Sequence, residues 1–139
     1  MRARLLTMAL AALCLAARGA AAGPATLAVE LNRLENQPEG CRSYMVVTNS
    51  TGAAVERLTL DLVIFDRDGL IDRRLAVDLG PVAAGRTRVR VFDMAGLDCA
   101  DVARVLVNEV LSCTPEPAEG EACGAALAVS ARGPVDLIR

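Results

Sequence analysis

The segment VERLTLDLVIFD, Val55 to Asp66, restricts the possible folds of this chain more than any other. Leu58, Leu60, Leu62 and Ile64 recur at every second position and line up on one side of an extended backbone. Thr59, Asp61, Val63 and Phe65 fall on the other side, which starts polar and ends apolar. A helix brings residues three and four apart onto one face, so a period of two argues against it. The β-branched residues agree with a strand. Such a strand needs a second layer against which to bury its leucine row.

The same period recurs along the chain. Leu27, Val29 and Leu31 alternate with Ala28, Glu30 and Asn32, and the polar piece ENQPEG reads as a connection. CRSYMVVTN is a second strand, with Tyr44, Val46 and Thr48 on one face. NSTG and DRDG are turn chemistry, so Asn49-Ser50-Thr51 is read as a turn rather than a glycosylation sequon. LIDRRLAVDL returns as a strand, and GPVAAG turns again. In RTRVRVF, Thr87, Val89 and Val91 are expected to face in, and Arg86, Arg88 and Arg90 out. DMAGLDCAD is a longer connection with room for a brief helical turn, and Val102 to Leu111, apolar and β-branched, reads as a buried strand, with a short helix as the alternative. The tail after Cys123 supplies a last strand or packs on the sheet. About seven strands, with turns every 8–12 residues or so and no strand–helix–strand repeat, predict an all-β fold. The expected architecture is an antiparallel two-sheet β-sandwich of immunoglobulin-like kind, stabilised by disulfides.

The N-terminus reads as a secretory leader. Arg2 and Arg4 precede an apolar run from Leu5 to Ala17, and Ala20-Ala21-Ala22 offers a cleavage site before Gly23. Thirteen apolar residues are too few for a membrane span, which takes about 20. The expected organisation is therefore a signal peptide at 1–22 and one domain at 23–139, located in the periplasm or secreted. No transmembrane segment is expected in the mature chain.

Export gives the cysteines a meaning. Cys41, Cys99, Cys113 and Cys123 remain after cleavage, an even number in a short exported chain, which points to two disulfides. Four cysteines allow three pairings. Cys113 and Cys123 bracket the Pro/Gly-rich loop TPEPAEGEA, so Cys113–Cys123 with Cys41–Cys99 is the favoured arrangement, and the other pairings stay open. A core containing many alanines is expected to be thin and to need such staples.

The remaining composition narrows function. Without the leader, twelve arginines face seventeen carboxylates, a formal charge of −5, and the whole chain has no Lys, His or Trp. An acidic chain with one Tyr and two Phe lacks the basic track and stacking platforms used for nucleic acid, so no nucleic-acid partner is expected. Without His there is no His-based triad or ordinary zinc hydrolase site. VIFDRDG, Val63 to Gly69, is similar to the opening motif of haloacid-dehalogenase-type phosphatases. However, Leu70 departs from that motif, and no Lys is present to neutralise a phosphoryl group. It is read as a strand running into a turn. Asp66, Asp68 and Asp72 with Asp93, Asp98 and Asp101 are the candidate calcium ligands, although Ile71 and Val77 stand where an EF-hand has Gly and Glu.

YMVVTNSTG, then LTLDLVIFDRDGLI, then VDLGPVAAGRTRVRVFDM resembles small exported β-sandwich domains of the FxLYD kind over about Arg42 to Phe92. The matching residues are Asn49, Phe65, Asp66, Gly69, Pro81 and Gly85, with L-V-I-F-D in place of F-x-L-Y-D. The whole chain also looks like exported proteins of proteobacteria. These resemblances imply an accessory or adhesion-like envelope domain and no enzyme activity.

The expectation is a non-enzymatic periplasmic accessory or protein-binding domain with an envelope protein as partner and no cofactor. The alternatives are a calcium-binding adhesion-like module and a small enzyme using a carboxylate pair. Arg86, Arg88 and Arg90 are the candidate docking strip for an acidic partner or a membrane surface, against the simpler reading of edge-strand protection.

Overall fold

The computed structural model describes residues 26–115 and 127–139; the expected leader at 1–22 and Cys123 lie outside them. Eight strands form two packed four-stranded sheets, a β-sandwich. They are β1 (Leu27–Gln37), β2 (Gly40–Asn49), β3 (Arg57–Phe65), β4 (Ile71–Asp78), β5 (Thr87–Ala95), β6 (Arg104–Thr114), β7 (Leu127–Ala131) and β8 (Asp136–Ile138). One sheet has the order β5-β2-β1-β7 and the other β4-β3-β6-β8. A 3₁₀ turn, Cys99–Asp101, separates β5 from β6. Among the described residues no helix is long and apolar enough to cross a membrane.

The leucine row of β3 behaves as its period demands. Leu58, Leu60 and Leu62 are wholly buried and Ile64 almost so. β3 lies between β4 and β6, and it faces Leu27, Val29 and Leu31 of β1 and Met45 and Val47 of β2 in a single core. Each such side chain, fully buried, contributes about 1.5–3 kcal/mol relative to exposure. The core is not built from alanine: among the described residues no Ala is buried. Alanine offers too little area to be worth an inward position when Leu and Val can occupy it.

Several local expectations are corrected. ENQPEG is not a free connection, because β1 runs on to Gln37 and turns through Pro38 and Glu39 into β2. The sheets are not purely antiparallel: β7 pairs parallel to β1, and β8 parallel to β6. The chain passes from one sheet to the other between β7 and β8, so each sheet gains one parallel edge strand, for eight strands among the described residues.

The inward face of β2 is the one opposite Tyr44, Val46 and Thr48. Cys41, Ser43, Met45, Val47 and Asn49 are buried, while Tyr44, Val46 and Thr48 are only half-buried on the outer side. YMVV is apolar on both faces, so its own pattern does not choose. The Cys41–Cys99 disulfide does choose. Cys41 has to face inward to reach Cys99, and the period of two carries Ser43, Met45 and Val47 in with it. Gly40 sits beside it because a Cβ there would lie 2.3 Å from the Met94 carbonyl oxygen. Cys113 is also disulfide-bonded, whereas the expected Cys113–Cys123 pairing falls on a residue outside the described ones.

Asn49 shows how a buried polar residue is tolerated. It is 0% exposed; its Nδ2 donates to the Ala53 and Val82 carbonyls at 2.8 and 3.0 Å, and its Oδ1 accepts from the Thr51 amide at 3.0 Å. One side chain thus holds the NSTG turn and the segment before β5 to the end of β2. Ser43 differs, since its buried Oγ has no hydrogen-bond partner among the described residues.

Two outcomes follow. In the loop-entropy model, a bridge spanning 58 residues stabilises by about 4 kcal/mol. Replacing Cys41 and Cys99 together by Ala is therefore expected to cost about 2–4 kcal/mol in urea unfolding; a loss well under about 1 kcal/mol would show that the bridge is not a brace. Ser43→Ala removes an unpaired hydroxyl and is expected to raise stability by about 1 kcal/mol. A clear loss in the same titration would mean that the hydroxyl has a partner in solution.

Candidate functional site

At the end of the sandwich where β1 meets β2 lies a cleft of about 570 Å³, within the size range of small-molecule sites. Three elements shape it. The first is β1, whose register shifts between Leu31 and Arg33. This bulge inserts Asn32, so Leu31 and Leu34 both lie on the core side, and Arg33 turns outward opposite Tyr44. The second is the 3₁₀ turn, where Asp98 caps the Ala100 amide at 2.8 Å and Asn36 Oδ1 accepts from the Cys99 amide at 3.0 Å. The third is the segment Arg132–Val135 between β7 and β8.

Arg33, Arg67 and Arg132 line this cleft, and among the described residues no carboxylate does. Arg67 comes from the DRDG turn and donates through Nε to the Ala100 carbonyl at 2.5 Å. It makes no ion pair among the described residues. Arg132 donates through Nε to both Glu30 oxygens, at 3.1 and 3.0 Å. Asn32 and Arg132 together hold the Glu30 carboxyl below the usual carboxylate range. Arg33 pairs with Glu35 and stacks over the Tyr44 ring at 5.1 Å.

The arginine strip on β5 points the other way from expectation. β5 is an edge strand, and Arg88 and Arg90 stand opposite the buried Val47 and Met45, on the core side. Val89 and Val91 face outward and are 57% and 50% exposed. This inversion follows from β2, because cross-strand partners share a face. Arginine tolerates the inward position because its long stem carries the guanidinium to the rim. Arg90 donates through Nε to the Leu79 carbonyl at 3.0 Å and through Nη2 to the Gly80 and Pro81 carbonyls at 2.7 and 2.9 Å. Arg73 of β4 reaches back to the Ala95 carbonyl at 2.7 Å. The two arginines therefore close the open side of the sandwich between edge strands β4 and β5. Arg86 and Arg88 remain exposed.

The acidic residues are used locally. Asp66 Oδ1 accepts from the Asp68 and Leu70 amides at 2.9 and 2.8 Å, so VIFDRDG is the end of β3 and a turn, with Gly69 at φ +80°. Asp72 pairs with Arg73, and Asp93 with Arg42 at 2.7 Å. No group of three or more Asp, Glu, Cys or His residues converges as a metal site among the described residues. Asp61 lies on the outer side of β3 yet is only 5% exposed. Arg74 Nη2 and Asn108 Nδ2 donate to it at 2.5 and 2.6 Å, and a shift in the β6 register aims Asn108 at it. It is therefore not a counter-ion for the β5 arginines.

No protein-family model, curated protein or solved structure matches the chain. Reading the sequence did not find the cleft. One signal was present: the step from Leu31 to Leu34 breaks the period of two and marks the bulge. Nothing local says that Arg67 and Arg132, sixty-five positions apart, line one cleft.

Arg74 first, then Asn108, hold the Asp61 carboxyl below its ordinary value. With a folded-state pKa lowered in this way, its stabilising contribution is complete above the unfolded carboxylate range and is lost as pH falls through the folded value. Asp61→Asn is expected to lower stability at neutral pH and to narrow its gap from the wild type in acid. Urea titrations at both pH values test this, and a gap independent of pH would disprove it.

Proposed function

We propose that the protein is an exported, non-enzymatic accessory domain of the cell envelope that binds a partner protein along edge strand β5. One observation carries this reading. Among the described residues β5 is nine residues long and paired on one side only, and its outward Val89 and Val91 are exposed beside half-buried Tyr44 and Val46. A partner strand can add to such an edge through backbone hydrogen bonds, with alternate side chains supplying specificity. Arg86 and Arg88 at the start of the strand favour acidic residues on that partner. The carbonyl contacts of Arg90 hold β5 in place without occupying its outer face.

Export rests on the leader pattern at 1–22, and the Cys41–Cys99 disulfide is compatible with an oxidising compartment. The immunoglobulin-like and FxLYD-like readings belong to the same proposal. A non-enzymatic role accords with a chain without His and with the use of Asp66 in its own turn.

The test uses the native protein expressed from its full sequence. N-terminal sequencing of envelope material is expected to start at Gly23. A photo-cross-linking residue at position 91 is expected to capture one discrete envelope protein, and Val89→Glu should abolish capture. The same probe at Ala76, on β4, should capture none. Equal adducts from both positions, or none from position 91, would sink the reading.

A further inference from the structure

We propose that the arginine-lined cleft at the end of the sandwich binds a small organic anion, a carboxylate carried on a hydrocarbon body. The inference concerns a surface separate from β5 and stands independently of any partner there.

The guanidinium arrangement is the first support. Arg67 and Arg132 are both anchored through Nε, one on the Ala100 carbonyl and the other on Glu30. Their Nη atoms make no hydrogen bond among the described residues, and both residues line the cleft. A guanidinium fixed through Nε still presents a planar pair of N–H donors, and that pair matches the geometry of an oxyanion. Holding Nε in advance also reduces the ordering cost of binding.

Charge is the second support. Glu30 balances Arg132 and Glu35 balances Arg33, but neither glutamate lines the cleft. Arg67 has only a neutral carbonyl as partner, so it supplies the uncompensated positive charge. In a chain of net charge −2, a cleft whose charged lining is entirely arginine is a local reversal of sign. Such a reversal attracts anions.

The rest of the lining selects among anions. Half-buried Leu34 and Ala103 and exposed Ala100 and Pro134 bring accessible apolar surface to the same cleft, over a floor of buried Leu31, Val102 and Val135. A bare inorganic ion would leave that surface wet. A carboxylate with an alkyl body would cover it while its oxygens meet the arginine forks. Asn32 and Asn36 add polar side chains at the cleft.

The experiment uses the mature protein with hexanoate, inorganic phosphate and hexanamide as probes, read by calorimetry and by the rise in Tm that native-state binding produces. Hexanoate is expected to bind, to weaken as salt rises, and to lose about tenfold or more in affinity in both Arg67→Gln and Arg132→Gln. Hexanamide should not compete. Arg57→Gln, at the exposed start of β3 and outside the cleft, should leave affinity unchanged. Circular dichroism matching the wild type confirms that each variant is folded. Phosphate binding more tightly than hexanoate would overturn the hydrocarbon assignment. No binding of either anion, or unaltered hexanoate affinity in Arg67→Gln, would overturn the site.

Discussion

The leucine row of β3 is the constraint on which the rest of the sandwich depends. Four inward side chains, Leu58, Leu60, Leu62 and Ile64, form one apolar floor in the middle of one sheet. The second sheet has to cover them, and it does so with Leu27, Val29, Leu31, Met45 and Val47. No aromatic residue is buried: Tyr44, Phe65 and Phe92 all stay at intermediate exposure. Arg33 and Arg104 stack over Tyr44 and Phe65 at 5.1 and 5.0 Å, so two of these rings are covered by guanidinium groups instead of by the core.

A sandwich filled by aliphatic side chains leaves its rims to be closed by other means. Here polar groups close them. Arg90 and Arg73 cross between β4 and β5 in opposite directions and satisfy backbone carbonyls. Asn49 ties three segments at one end, and the Cys41–Cys99 bridge ties β2 to the 3₁₀ turn at the other. A buried or rim-facing carbonyl without a partner is costly, so long donors aimed at carbonyls stabilise beyond their charge. Arginine suits this role because one fork can serve several acceptors.

The same economy of local structure separates the two surfaces offered for binding. On β5, the inward turn of Arg90 leaves valines outside on a free edge. At the far end, the bulge in β1 places Leu34 on the core side and Arg33 outside, and the DRDG and Arg132–Val135 segments bring two more arginines to the cleft. Neither surface is a motif. The first follows from the face that pairing with β2 imposes on β5, the second from the bulge in β1.

The sequence alone determined the all-β class, the turn at DRDG, the turn at NSTG and the buried face of β3, because those depend on neighbours within a few residues. It was silent where both faces of a strand are apolar, as in YMVV, and misleading in RVRV, where the alternation points the valines inward but pairing with β2 puts the arginines on the core side. The Cys41–Cys99 bridge set the face of β2, and pairing carried that choice to β5. The cleft likewise needed Arg33, Arg67 and Arg132 to be brought together from three parts of the chain. Periodicity is a local property that a sequence displays directly. The choice of face on a two-sided strand, and the meeting of distant cations, are set by long-range contacts that exist only once the sheets have packed.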